Sequence, residues 1–223
     1  MAEIDVRGDI ISNDDKWIYD WLKWDSTCPA DIRGALDSKP ENERLTVRIN
    51  SGGGSVLAGQ EIYSMLFGRD DVDIDIQSMA GSAASVIAMA NRSEISPVAM
   101  IMIHNVSMWG ATGDYHDMQK NAEILKQMNS ALAQAYVAKT GKAEEEILKL
   151  MDRETWITAN QALEMGFVDK ITDAAPVLVN SISGMRLTDE IRQQVIDAKA
   201  KAENEGNKRD DTLIRMRMLG IRI

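Results

Sequence analysis

Residues 79–89, Met-Ala-Gly-Ser-Ala-Ala-Ser-Val-Ile-Ala-Met, set two hydroxyls among small neighbours. Val72-Asp-Ile74-Asp-Ile76 leads in with the alternation of a strand buried on one face. The pattern breaks at Gly81, and an apolar run suited to a buried helix continues from Ser85. Strand, tight turn, hydroxyl and helix together can hold a serine as a nucleophile. The turn exposes Oγ, and the amide that follows points to where an oxyanion would form. On this pattern Ser85 is the candidate nucleophile. The same small residues would also let a helix pack closely on a sheet with no chemistry at all.

A base and an oxyanion site can be sought on either side. Val98-Ala-Met-Ile-Met-Ile103 is an apolar strand that ends at His104, followed by Asn105. The C-terminal end of a strand is where α/β proteins gather their sites, so His104 is a candidate general base, or else a satisfied core or edge histidine. His116, between Asp114 and Asp117, reads as a solvated residue in the first turn of a helix. Ser51-Gly-Gly-Gly-Ser55 follows the strand Leu45–Asn50 and precedes a helix from Val56 to Phe67. No Lys-Ser/Thr follows those glycines and no Gly-x-Gly-x-x-Gly occurs, which argues against a nucleotide. Amides of Gly53 and Gly54 could instead face an oxyanion formed at Ser85.

The composition narrows the setting. A chain of 223 residues suffices for one domain with an appendage. The net charge of −10 argues against a general nucleic-acid binder. One Cys and two His offer no zinc spacing, and the single cysteine, Cys28, fits a reducing, cytoplasmic setting. No run approaches the about 18 apolar residues of a membrane span, and the N-terminus lacks the pattern of a signal peptide.

Several elements must position these groups. Glu3–Ile11 alternates as a first strand. Asn13–Trp24 reads as a helix with Trp17, Trp21 and Trp24 on one stripe, for the core or for a subunit interface. A short helix follows from Pro29 to Leu36. Residues 91–94 read as a turn. A long helix starts at Thr112 or Asp114 and runs to Gly141, about 26 residues or roughly 39 Å, longer than one small domain needs. Lys142–Met151 and Ala159–Met165 are shorter helices, the second closed by Gly166, and Phe167–Ile171 is a last strand. The division expected is a domain at 1–172 and a charged helical tail at 173–223. In the tail, Thr188 to Glu205 is helical, 205–211 is a solvated linker, and 213–223 is an apolar, basic end that needs a partner.

Four stretches, in order, resemble the ClpP family of serine peptidases. They are Ile49–Tyr63 with its glycine loop, Gly81-Ser-Ala-Ala-Ser85, Met102-Ile-His104, and Glu154–Ala159 together with Ala162–Ile171. The Trp-rich insertion at 17–24 and the Glu-Thr-Trp wording are most similar to ClpP-like head-maturation proteases of bacteriophages. The resemblance implies an α/β fold of ClpP/crotonase-like stacked ββα units with a projecting handle helix. It implies Ser85 as nucleophile, His104 as base and Glu154 as the acid, with Asp152 as the alternative acid. It also implies an oxyanion hole from the amides of Gly54 and Val86, with neither metal nor cofactor.

The partners implied are other copies of the chain, in rings joined through a stripe at Met118, Leu125 and Leu132, and a scaffold or capsid polypeptide as substrate. The chain starts almost at the family's first core strand, so the N-terminal hairpin that meets an ATPase is expected to be missing and an ATPase partner is not expected. Two other readings remain open: a catalytically silent ring protein of this fold, and a crotonase-type enzyme acting on acyl-CoA.

Overall fold

The computed structural model describes residues 2–172 and 187–205. Strands β1 (Ala2–Ile10), β2 (Ser26–Thr27), β3 (Leu45–Gly54), β4 (Val72–Gly81), β5 (Ser93–Ile95) and β8 (Lys170–Ile171) form a parallel sheet in the order β2-β1-β3-β4-β5-β8. Strand β6 (Met100–Ile103) pairs in parallel with the C-terminal end of β4, and β7 (Thr155–Thr158) adds to β6 antiparallel. Helices α1 (Lys16–Leu22), α2 (Pro29–Ser38), α3 (Val56–Leu66) and α4 (Ala83–Ala88) make the crossovers that a parallel sheet requires. The fold class expected from the resemblance is the one observed.

The alternation in β3 and β4 puts Val47, Ile49, Val72, Ile74 and Ile76 into the core. Against them pack Ile62 and Leu66 of α3 and all six residues of α4. Three elements differ from the sequence reading. The glycines 52–54 are not a loop after β3 but its last, extended residues. Residues 93–95 form β5, because the carbonyl of Arg92 and the register Ile74↔Ser93 continue the sheet where a turn was expected. Trp24 lies outside α1, which stops at Lys23 in the left-handed conformation.

Helix α5 (Tyr115–Thr140) is capped by Asp114 through a reciprocal box with Asp117 and closed by Gly141 at φ 69°. Every residue from 111 to 120 is exposed, whereas Leu132, Ala133, Ala135 and Tyr136 are buried. The helix therefore projects by its N-terminal half and is rooted by its C-terminal third. Leu132 belongs to the chain's own core rather than to the projecting stripe. Helices α6 (Glu144–Asp152) and α7 (Ala159–Glu164) flank β7.

Helix α8 (Asp189–Glu205) returns to the N-terminal layer. Leu187 and Val195 join Ile11, Ile18, Tyr19, Leu22 and Cys28 in a second apolar cluster, with Trp17, Trp21 and Trp24 packed around it. Arg192 pairs with Asp15 at 2.6 Å, and Lys199 lies over the Trp17 ring at 4.4 Å. The tryptophan stripe is thus covered from within the chain. The expected linker and apolar end at 206–223 lie outside the described residues. Among the described residues no helix is long and apolar enough to cross a membrane.

Candidate active site

The strand β4 sets the position of the key turn. Its last residue, Gly81, is in register with Met102 of β6, and the Ser82 amide still donates to the Met102 carbonyl at 2.8 Å. The chain then turns at once, because α4 begins at Ala83. Ser82 takes φ 51° and ψ −122°, a conformation that costs a non-glycine residue roughly 1–3 kcal/mol. Strain of this kind on a strand-to-helix turn lifts a side chain clear of both elements.

The Ser82 hydroxyl makes no cap to its helix. It lies 2.7 Å from Nε2 of His104, the residue just past the end of β6. Two adjacent parallel strands therefore deliver a hydroxyl and an imidazole side by side at their C-terminal ends, the usual location of sites in such sheets. Both residues are half-buried and line a cleft of about 760 Å³. The segment after His104 is held by the Asn129 side chain of α5, which accepts from the Val106 amide at 2.8 Å.

Ser85 is not brought to His104. It sits inside α4 with no exposed surface. Its hydroxyl bonds to the Ser82 carbonyl at 2.6 Å and to the Tyr136 hydroxyl at 2.7 Å. The expectation of Ser85 beside His104 fails because α4 begins at Ala83, directly after the turn at Ser82, and so takes Ser85 into the helix. The Val86 amide shifts with it: it donates to the Ser82 carbonyl at 3.3 Å and is directed along the helix. The amide following the Ser82 hydroxyl is that of Ala83, one of the first-turn donors with no intrahelical acceptor.

The glycine strand closes over this turn. A Cβ on Gly53, at φ 107°, would lie 2.6 Å from Ser82 Cβ and 2.7 Å from the Gly81 carbonyl oxygen. One on Gly54, at φ 150°, would lie 2.2 Å from the Ile10 carbonyl oxygen. Only glycine lets the backbone approach this closely. The Ser51 hydroxyl fixes the run by donating to the Gly8 carbonyl at 2.6 Å and accepting from the Gly53 amide at 3.1 Å. The next amide but one, Ser55, donates to the Ile10 carbonyl at 2.7 Å. Successive amides of an extended chain face opposite sides, so that of Gly54 is turned from β1 toward the cleft that Gly54 lines.

Neither candidate acid bonds to His104 in the single chain. Asp152 ends α6 and accepts from the Asn105 side chain at 2.8 Å. Glu154 follows at φ 49°, exposed, with its carboxylate 3.3 Å from the Trp156 indole nitrogen. The segment is therefore not extended through both, as a shared direction for the two acids would need. The β6–β7 ladder ends at the pair Ile103–Thr155, and His104 and Glu154 are the next residues beyond it on the two chains. His116 is exposed at the start of α5 and does not line the cleft.

Two further contributions escaped the sequence reading. Tyr136 lines the cleft from α5. Residues Leu187 to Glu190, at the start of α8, form another wall of the cleft although they lie some hundred residues from Ser82. Among the described residues no Lys or Arg lines the cleft. Among the described residues no group of His, Cys, Asp and Glu could hold a metal ion.

A hydroxyl on a strained turn, an imidazole within hydrogen-bonding distance, and backbone amides beside them are the parts of an acyl-transfer site. The chain is 36% identical over 140 residues to the ATP-dependent Clp protease proteolytic subunit 2 of Tropheryma whipplei, which covers 61% of this chain and 77% of that protein. It is 31% identical over 156 residues to the ATP-dependent Clp protease proteolytic subunit 1 of Corynebacterium glutamicum, covering 67% of this chain and 75% of that protein. The model of the Clp protease family matches residues 34–175, from α2 through the last strand of the sheet, and the chain belongs to that family.

Proposed function

We propose that the protein is a serine endopeptidase with Ser82 as nucleophile and His104 as general base. The observation that carries this reading is the 2.7 Å approach of His104 Nε2 to the Ser82 hydroxyl on a strained turn. His104 takes the Ser82 proton as Oγ attacks the scissile carbonyl. The amides of Ala83 and Gly54 receive the oxyanion, in place of the Val86 amide that the helix engages. His104 then returns the proton to the leaving amine, and water releases the acyl group by the reverse sequence. Glu154, next in the chain to the last β6–β7 pair beside His104, is the acid of this reading.

The working form is a ring of copies enclosing the clefts, as members of this family assemble, with the projecting half of α5 as the contact between facing rings. The biological role is cleavage of scaffold or capsid segments in phage head maturation in the host cytoplasm, supported by the tryptophan-rich insertion and Glu154-Thr-Trp156 wording. Flexible substrates of this kind need no ATPase to unfold them. An acyl-CoA enzyme would need cations for the ligand's phosphates, and none lines the cleft among the described residues.

Labelling with a fluorophosphonate, followed by mapping of the modified peptide, tests the reading. Label on Ser82 supports it. Label on Ser85, or none on an assembled particle, rejects it, the second result favouring a silent ring protein.

A further inference from the structure

We propose that Tyr136 and Ser85 are positioning residues that aim the Ala83 amide at the oxyanion; this rests on Ser82 being the nucleophile. Ser85 carries a single proton, and at 2.6 Å it donates that proton to the Ser82 carbonyl. Toward Tyr136, 2.7 Å away, Ser85 is therefore the acceptor and the phenol the donor. Burial of Tyr136 pushes its phenol well above the ordinary tyrosine range, so it stays protonated and able to donate. The proton order is fixed as Tyr136 to Ser85 to the Ser82 carbonyl.

That carbonyl also accepts from the Ser85 amide at 2.9 Å and the Val86 amide at 3.3 Å. Three donors on one oxygen leave the Ser82–Ala83 peptide little freedom to rotate. The peptide is planar, so its carbonyl and the Ala83 N–H lie in one plane and point in opposite directions. Fixing the oxygen inward fixes the N–H outward, toward the cleft where Ala83 and Ser82 lie with Tyr136. Donors on the carbonyl also polarise the peptide and strengthen its N–H as a donor. The chain of hydroxyls starts on α5, where Tyr136 is also packed against the Phe167 ring at 6.0 Å between centroids. The long helix thus reaches the turn through two side chains.

An interaction with the oxyanion exists only once charge has developed, so its loss lowers the rate of the covalent step without weakening initial binding. The test uses the full chain with Ser85→Ala, Tyr136→Phe and the double variant. It reads the maximal rate and half-saturating concentration of fluorophosphonate labelling at Ser82, alongside thermal midpoints. The expected result is a fall of about tenfold in maximal rate for each single variant, about 1.4 kcal/mol. Half-saturation stays within about twofold, and the double variant is no slower than either single within about twofold. Unchanged maximal rates with lowered midpoints would overturn the proposal and leave a merely structural buried pair. Multiplying losses in the double variant would also overturn it, since the two hydroxyls would then act separately. Wild-type label on Ser85 instead of Ser82 is a distinct failure, that of the nucleophile assignment.

Discussion

His104 meets Ser82 across two adjacent parallel strands, with Nε2 2.7 Å from Oγ, while Ser85 is enclosed in α4. If this pair is the catalytic unit, Ser82→Ala and His104→Ala each remove peptide hydrolysis by a factor on the order of 10⁵–10⁶, and the double variant is little worse than either. Ser85→Ala retains measurable turnover. Steady-state assays on the purified variants check all four, and full activity in Ser82→Ala rejects the pair.

The acid is expected to be Glu154 rather than Asp152. Glu154 directly precedes Thr155, the last ladder partner of β6 before His104, whereas Asp152 already accepts from Asn105. Glu154→Gln should lower kcat on the order of 10³-fold or more, by the behaviour of other triads, and Asp152→Asn by much less. Equal, small losses would point to a Ser82–His104 dyad.

Assembly should depend on the exposed half of α5. Tyr115, Met118 and Ile124 are all exposed there, and Leu125 is half-buried. Covering side chains of this size contributes roughly 1.5–3 kcal/mol each. Leu125→Asp is expected to reduce the particle mass measured by light scattering and to lower peptidase activity with it. A wild-type chain that remains a monomer at micromolar concentration while hydrolysing peptide would remove the need for rings.

Docking of α8 can be followed at Cys28, the single cysteine of the chain, buried in the cluster that Leu187 and Val195 complete. Val195→Asp places an unpaired charge in that cluster and should open it. Each 1.4 kcal/mol lost from docking raises the open fraction about tenfold, and maleimide labelling of Cys28 should accelerate in proportion. Labelling no faster than in wild type would show that α8 does not shield the thiol.

Stability should fall in acid through two carboxylates. The Arg69 and Lys39 side chains hold Asp71 far below the ordinary range. Burial pushes Asp169 upward, but hydrogen bonds from Lys139 and the Ser93 amide outweigh it and leave the group lowered. A carboxyl lowered by folding stabilises the fold above its unfolded value, about 3.9, and that stability is lost as pH drops below it. Thermal midpoints are expected to hold near pH 6 and to decline below about pH 4. Asp169→Asn should flatten the decline, and an unaltered slope would show that the Lys139 pair does not contribute.

The sequence alone determined most of the scaffold, because its signals are local. Alternating Ile and Val define β3 and β4, and Asp114 and Gly141 mark both ends of α5. His104 at the close of an apolar strand, and the glycines before α3, were legible for the same reason. Which serine is presented was decided only by tertiary structure. Ser82 and Ser85 stand three residues apart among alanines that suit either a turn or a helix. The choice depends on where the turn falls and α4 begins, and pairing with β6, about twenty residues further on, fixes that: Gly81 meets Met102 and the Ser82 amide takes the Met102 carbonyl. The fate of the tryptophan stripe was likewise beyond local reading. Its cover, Val195 and Leu187, arrives from the far end of the chain. Periodicity shows that a face is apolar; what buries it depends on contacts between residues distant in sequence.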